Sequence, residues 1–282
     1  MRRGIVIYLE NKRNLMLQFG CLYTSFKHIQ SNDTDLIVFG TKDALEKVPD
    51  DCIKVECEAV SHRPEWQNYH YINSIYCLVG DNSDFLDKYD LLLRSDVDTF
   101  ITPAWNSFYP DMYTCGEGGY VNDTETADNL KRISSLFDLR HQGIHNIGST
   151  HYGYAPLVRD VCRLTLTITK HILNNEFKNG EGQWPGWYKG VTLLYSSEIA
   201  VNHLADYFKR DIRLLDYGST NLDSVNLHPH IHCWHTDNVF SKFWFECGKY
   251  DHLTTEGLNL DVVKDYCLYM ALKSRKDMPW LS

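Results

Sequence analysis

The first hundred residues alternate short apolar runs with helical periodicity, and the last of those runs ends in two carboxylates. GIVIYL (4–9) is a β run. Leu15, Phe19, Leu22, Phe26 and Ile29 follow at a 3.5-residue spacing and mark one face of a helix. DLIVFG (35–40) is a continuous apolar strand closed by glycine, and a short helix around Leu45 leads to CIKVEC (52–57), a third strand. Trp66, Tyr69, Asn73 and Tyr76 predict a helix over 66–79, and YDLLLRSDVDTF (89–100) reads as another buried strand. Strands that alternate with helices at this interval form βαβ units around a parallel sheet, the α/β class. Such sheets bind ligands beyond the carboxyl ends of their strands.

The second half is mixed. Residues 128–137 predict a helix, 145–149 a short strand, and Leu157, Val161, Leu164, Ile168 and Ile172 a long helix entered just after Pro156. GQWPGWY (182–188) is a loop, TLLYS (192–196) is strand-like, and a helix runs from Ser196 through Ala200, Leu204 and Phe208. IRLLDY (212–217) predicts a strand, and a helix around Val262, Tyr266 and Met270 closes the chain. With 43% apolar residues and neither repeat nor linker, 1–282 reads as one domain. Its first half, 1–100, ends in the acidic motif, and 101–282 forms the second. The net charge of −9 argues against a general nucleic-acid binder, which needs a basic face. No apolar run approaches the roughly 18 residues of a membrane span. The charged start of the chain does not read as a signal peptide. Nine cysteines without a CxxC pair predict reduced thiols and a cytoplasmic location.

Asp96 and Asp98 carry the first chemical signal. Two carboxylates on one face of a strand end repel each other and stay ionised only with a cation near them. Hard divalent ions such as Mg²⁺ or Mn²⁺ suit oxygen ligands and commonly bridge to phosphate. Asp33-Thr-Asp35 repeats the spacing but precedes a strand, at the wrong end of a sheet, and reads as a turn.

LLLRSDVDTF, placed after two βαβ-type units, resembles the DxD strand of the GT-A-fold glycosyltransferases. These proteins fuse a nucleotide-binding, Rossmann-like sheet to an acceptor-binding half. The resemblance implies that Asp98 is the better ligand for an ion on the donor diphosphate, with Asp96 as its partner and Arg94 reaching toward the donor. HNIGST (145–150) is similar to the Asn-x-Gly strand beside the donor sugar in several such families, which points to Asn146 and Gly148. His228, His230, His232 and His235 crowd before Thr236. The GT-A pattern often places one late histidine on the same ion, which implies His235, with His232 behind it. Lys242 is then placed to neutralise the leaving diphosphate. Inverting members often carry a base at the start of a helix in the acceptor half, and Glu198 matches that position. Tyr8 and Arg63 are candidate contacts to the nucleotide base and phosphate. Trp105, Trp184 and Trp187 suit a glycan acceptor, because sugar rings stack on indole faces.

RSDVDTFITPAW, HNIGSTHYG, WPGWYKGVTLLYSSEIAVNH and HIHCWHTDNVFSKF extend the resemblance over residues 94–243. They are similar to small cytosolic GT-A transferases of large algal viruses and of some algae and fungi, including the xylosyltransferases of chlorella-virus capsid glycans. That likeness implies UDP-xylose as donor, a fucose-containing glycan acceptor and inversion. No residue by itself selects xylose over glucose or galactose. Three other readings compete: a haloacid-dehalogenase-like phosphatase, a non-catalytic nucleotide-sugar-binding protein, and a zinc hydrolase built on the histidine cluster. The phosphatase motif wants Thr or Val where this chain has Phe100, and it normally follows the first strand.

Overall fold

The computed structural model describes residues 1–233 and 240–281. The chain opens with β1 (Arg3–Leu9), α1 (Arg13–Ile29), β2 (Thr34–Gly40), α2 (Lys42–Leu45), β3 (Ile53–Glu56), α3 (Asn73–Tyr76) and β4 (Leu91–Arg94). It continues through β5 (Thr99–Ile101), β6 (Tyr113–Glu117), α4 (Thr124–Leu136), β7 (Ile147–Tyr154), α5 (Ala155–His171), α6 (Thr192–Leu204) and β8 (Phe208–Arg210). The last elements are β9 (Tyr217–Gly218), β10 (His230–His232), α7 (Lys242–Glu246) and α8 (Val263–Asp277).

Seven strands form one sheet in the order β3-β2-β1-β4-β7-β6-β8, and β5, β10 and β9 form a small second sheet. In the large sheet only β7 runs against its neighbours, β4 and β6. The others are parallel, with β1 paired to both β2 and β4. This is an α/β architecture with a mostly parallel central sheet flanked by helices.

The period of two along β1 explains the layering. Ile5, Ile7 and Leu9 face α1 through Met16, Phe19 and Leu22, while Val6 and Tyr8 point to the opposite face, into the cluster that holds Ile75 of α3 and Val158 and Val161 of α5. Each of these aliphatic side chains contributes about 1.5–3 kcal/mol on full burial. α8 packs on α1, and α5 packs on α6. Among the described residues no helix is long and apolar enough to cross a membrane.

Five sequence expectations change, the first being that the helix expected from Ser196 through Phe208 ends at Leu204, with Phe208 opening β8. The 66–79 segment is not one helix but short turns, because Gln67 and Asn68 adopt left-handed φ of 51° and 59° that interrupt it. Residues 89–100 are not one strand: β4 ends at Arg94, and Asp96 and Asp98 lie in the bend before β5. IRLLDY makes no strand before Tyr217. The strand-like 192–196 is already helical, so Glu198 sits past the first turn of α6 rather than in it. At the Asp33-Thr-Asp35 turn, Asp33 accepts from the buried Arg3 guanidinium at 2.6 Å.

Candidate active site

The carboxyl ends of β1, β4 and β6 lie at one edge of the large sheet, and the antiparallel β7 begins there. β4 delivers Arg94 to this edge, and the chain then bends through Asp96 and Asp98 into β5. β5 pairs antiparallel with β10, setting His232 opposite Thr99. β9 pairs parallel with β10, Tyr217 opposite Ile231, which brings Asp216 in behind the histidine. The small sheet therefore carries three distant pieces of sequence to one point.

The ligand atoms at that point are sorted by their neighbours. Asp96 Oδ1 accepts from Arg94 Nη2 at 2.8 Å, and Asp96 Oδ2 faces His232 Nε2 at 4.0 Å. Asp98 Oδ2 is bound by the Lys242 ammonium, and its Oδ1 lies 3.2 Å from the same Nε2. His232 Nδ1 is held 3.0 Å from Asp216 Oδ1. Asp96 Oδ2, Asp98 Oδ1 and His232 Nε2 thus converge, and such atoms of the three residues lie within 4.8 Å of one another.

Burial alone pushes the Asp98 carboxyl up, but the His232 and Lys242 charges outweigh it and hold it well below the carboxylate range. Asp216 follows the same logic: desolvation opposes ionisation, and the hydrogen bond and charge of His232 bring it down to about 2. Desolvation works against a charged His232, yet Asp98 and Asp216 raise it well above the usual imidazole value, and an ion at this point would take the place of its Nε2 proton while Nδ1–H stays on Asp216. Desolvation lowers His230 to about 4 and keeps it neutral. Two oxygens and one nitrogen at these separations fit a hard or borderline divalent ion such as Mn²⁺ or Mg²⁺. The Asp216–His232 pair is the carboxylate–histidine arrangement that orients a metal-binding imidazole.

Two adjoining cavities of about 370 and 660 Å³ open over this cluster and share Tyr8, Tyr71 and Asp96. Tyr8, proposed from the sequence, lines both, and Asp98, His232 and Lys242 line the smaller. Arg63 lines a third cavity, of about 440 Å³, that shares no lining residue with these two; its guanidinium lies over the Tyr76 ring. Arg94 is buried and binds Ser149 O and Ser74 Oγ besides Asp96, so its work here is to hold Asp96.

Several expected ligand contacts are packing contacts instead. Trp105 is 0% exposed, stacks on Tyr152 at 4.9 Å and donates from Nε1 to Thr34 Oγ1 at 3.0 Å; it belongs to the core, not to an acceptor cleft. Trp187 is sandwiched between Phe177 and Tyr195, and Trp184 is exposed. The same loop reaches the larger cavity through Tyr188 and Lys189. Asn146 holds Val121 with its side chain at a left-handed φ of 61°. Gly148 packs against β6, where a Cβ would stand 2.6 Å from the Gly116 carbonyl carbon. The His235 assignment falls on residues 234–239, outside the described residues, and the histidine seen at the acidic pair is His232.

Glu198 is 0% exposed. Its Oε2 accepts from Tyr120 Oη at 2.6 Å and Asn146 N at 2.7 Å, and its Oε1 lies 2.7 Å from His145 Nδ1 and 3.3 Å from His141 Nε2. Desolvation disfavours the carboxylate, but His141, His145 and Tyr120 outweigh it and hold Glu198 below its usual range. Sequence reasoning missed Asp216, His141 and His145. Asp216 lies inside a run, 212–217, that imitates a strand, and the two histidines occupy a loop with no periodicity. The i, i+4 spacing of His141 and His145 was the one available signal.

Residues 1–279 match the family described as "Domain of unknown function (DUF7164)", and the chain belongs to that family. No curated protein matches its sequence. The fold is similar to the apo structure of the WbbM bifunctional glycosyltransferase, with a TM-score of 0.52 over 99% of this chain at 11% identity. The chain spans about half the length of that protein, 50%.

Proposed function

We propose that this chain is a metal-dependent glycosyltransferase that moves a sugar from a nucleotide-diphosphate donor to a hydroxyl of a glycan acceptor. The observation that carries the reading is the convergence of Asp96 Oδ2, Asp98 Oδ1 and His232 Nε2 at the carboxyl edge of a parallel sheet, with Arg94, Lys242 and Asp216 holding their opposite atoms. Asp96, Asp98 and His232 would hold Mn²⁺ or Mg²⁺, which when bound supplies Lewis-acid stabilisation of the departing diphosphate. Lys242 adds positive charge beside the same oxygens. The adjoining cavities, with Tyr8, Tyr69, Tyr71 and Tyr188 in their walls, offer aromatic faces to a base and to sugars. The likeness to WbbM supports the fold of such an enzyme.

In this reading 1–100 binds the donor and 101–282 shapes the acceptor side. The finer assignment is UDP-xylose as donor, a fucose-containing glycan as acceptor, inversion at the anomeric carbon and work in the cytoplasm. It rests on the motif resemblance of residues 94–243. The test is a donor panel. UDP-xylose, UDP-glucose and UDP-galactose are incubated with the protein and Mn²⁺, and released UDP is followed. Metal-dependent consumption of one donor is expected. Turnover of a generic phosphate ester with no donor consumed would put the phosphatase reading first.

A further inference from the structure

Glu198 cannot itself meet an acceptor, because it has no exposed surface and four groups surround its two oxygens. Of those four, Tyr120 is buried, Asn146 contributes its backbone N–H, and the His141 side chain is only 4% exposed. His145 alone keeps appreciable access, with 22% of its side chain exposed. We infer that His145 is the proton acceptor for the attacking hydroxyl and that Glu198 is its positioning residue. This rests on the glycosyl-transfer reading and adds a base that the sequence did not single out.

The geometry gives each imidazole a tautomer. His145 Nδ1 lies 2.7 Å from the ionised Glu198 Oε1, so Nδ1 carries the proton and donates it. Nε2 then holds its lone pair, and no hydrogen-bond partner among the described residues takes it. This is the division of labour of a carboxylate–histidine pair, in which the acid fixes ring orientation and tautomer and stabilises the imidazolium that forms. Glu198 is itself fixed through Oε2 by Tyr120 and by the backbone of Asn146. The left-handed Asn146 turns the chain from His145 into β7.

His145 stands at the edge where the metal-type cluster lies. β7 begins two residues later and pairs antiparallel with β4, so its start lies where β4 ends. Arg94, which holds Asp96, also binds the carbonyl of Ser149 in β7. Ser149 and His145 are four residue steps apart, at most about 13 Å, and the left-handed Asn146 between them shortens that span. Arg210, at the same end of β8, pins the His145 carbonyl.

A metal on His141, His145 and Glu198 is the competing use of these groups. His141 speaks against it. Its Nδ1 accepts from Gly143 N at 3.1 Å, so its proton is on Nε2, the atom aimed at Glu198, and that nitrogen has no lone pair for an ion.

The step balances without a further reactant. The acceptor oxygen forms a bond to the anomeric carbon, and its proton passes to His145 Nε2. The bond from the anomeric carbon to the diphosphate oxygen breaks, and its electron pair leaves with the nucleotide diphosphate. The imidazolium then returns its proton to solvent.

The test uses the full chain and water as the attacking hydroxyl, with the donor consumed in the panel above. His145→Ala should lower donor hydrolysis by 10²–10⁴-fold, the usual range for a general base. Added imidazole should restore part of it, and Mn²⁺-dependent UDP binding should not change. Nitrogen NMR should show the Nδ1–H tautomer at His145 in the wild type. In Glu198→Gln, whose amide turns an NH₂ toward Nδ1, the Nε2–H tautomer should appear and hydrolysis should fall. Unchanged hydrolysis in His145→Ala overturns the base and leaves the transferase reading standing. So does stoichiometric zinc in the purified protein that His141→Ala removes. If the wild type binds no UDP and consumes no donor, both readings fall together.

Discussion

Replacing Asp216 by Asn should weaken divalent-metal binding while leaving the fold in place. Asp216 touches none of the three atoms that would hold the ion; it acts through His232, whose Nδ1 lies 3.0 Å from Asp216 Oδ1. The same oxygen accepts from Thr150 Oγ1 at 2.5 Å, and the backbone N–H of Asp216 donates to His230 Nδ1 at 3.1 Å. Asp216 sits at a left-handed φ of 67°, a conformation that asparagine also tolerates, so the backbone need not move. The amide can keep an oxygen toward His232, but it then sets an NH₂ against the Thr150 N–H, which lies 3.3 Å from Oδ2. The substitution therefore removes the negative charge that makes the imidazole a better ligand. Loss of such a supporting carboxylate costs roughly 10–100-fold in metal affinity, or about 1.4–2.7 kcal/mol. Calorimetric titration of Mn²⁺ into the wild type and the variant measures it, with thermal melts of both as the control. An unchanged Mn²⁺ affinity in a folded variant would refute the orienting role and separate His232 from the ion.

Trp105→Ala should destabilise by about 3–5 kcal/mol, because it empties a core site beside Tyr152 and removes the ring under the buried Arg3 guanidinium; a loss under about 1 kcal/mol in urea denaturation would contradict its core assignment. Gly148→Ala should lower both melting temperature and Mn²⁺ affinity, since the new Cβ would stand 2.6 Å from the Gly116 backbone and 2.8 Å from Asp216 Oδ2. His151 is buried, and desolvation, with Arg94 adding to it, lowers its pKa to about 3. The unfolded chain binds this proton near pH 6.5 and the native chain only near 3. Stability from this group is therefore complete above about pH 6.5 and is lost as pH falls toward 3, by a few kcal/mol at most. His151→Phe should flatten the denaturation free energy against pH over that window, and an unaltered slope would contradict it.

The parts of this protein that could be read from the sequence are those whose signal is local. β1, α1 and β2 declare themselves through apolar runs and a single helical face, because the two strands are buried almost throughout and α1 buries one face, while the half-exposed β3 shows only through its short alternation of apolar and charged residues. Asp96 and Asp98 were readable because carboxylates beyond an apolar strand need a partner charge, and Lys242 supplies one. What escaped is set by distant segments. The choice among four crowded histidines depends on the register of β10 against β5, which puts His232 rather than a neighbour opposite Thr99. Asp216 looked like part of a strand, yet its left-handed backbone and its place behind His232 arise only when β9 meets β10. Trp105 has the composition of a sugar platform, but the turn after β5 inserts it onto Tyr152. Glu198 was found for its acidity and misjudged in its surroundings, because the loop holding His141 and His145 folds over it from about fifty residues upstream, |i−j| = 53 for His145.

The most direct test of the central claim is equilibrium binding of UDP, measured by calorimetry with Mn²⁺, with a chelator, and with Mn²⁺ on Asp98→Ala. The account predicts binding in the first case and its loss in the other two, with Asp98→Ala still folded by thermal melt. Equal UDP binding in all three, or none in any, would contradict a metal–diphosphate site at Asp96, Asp98 and His232.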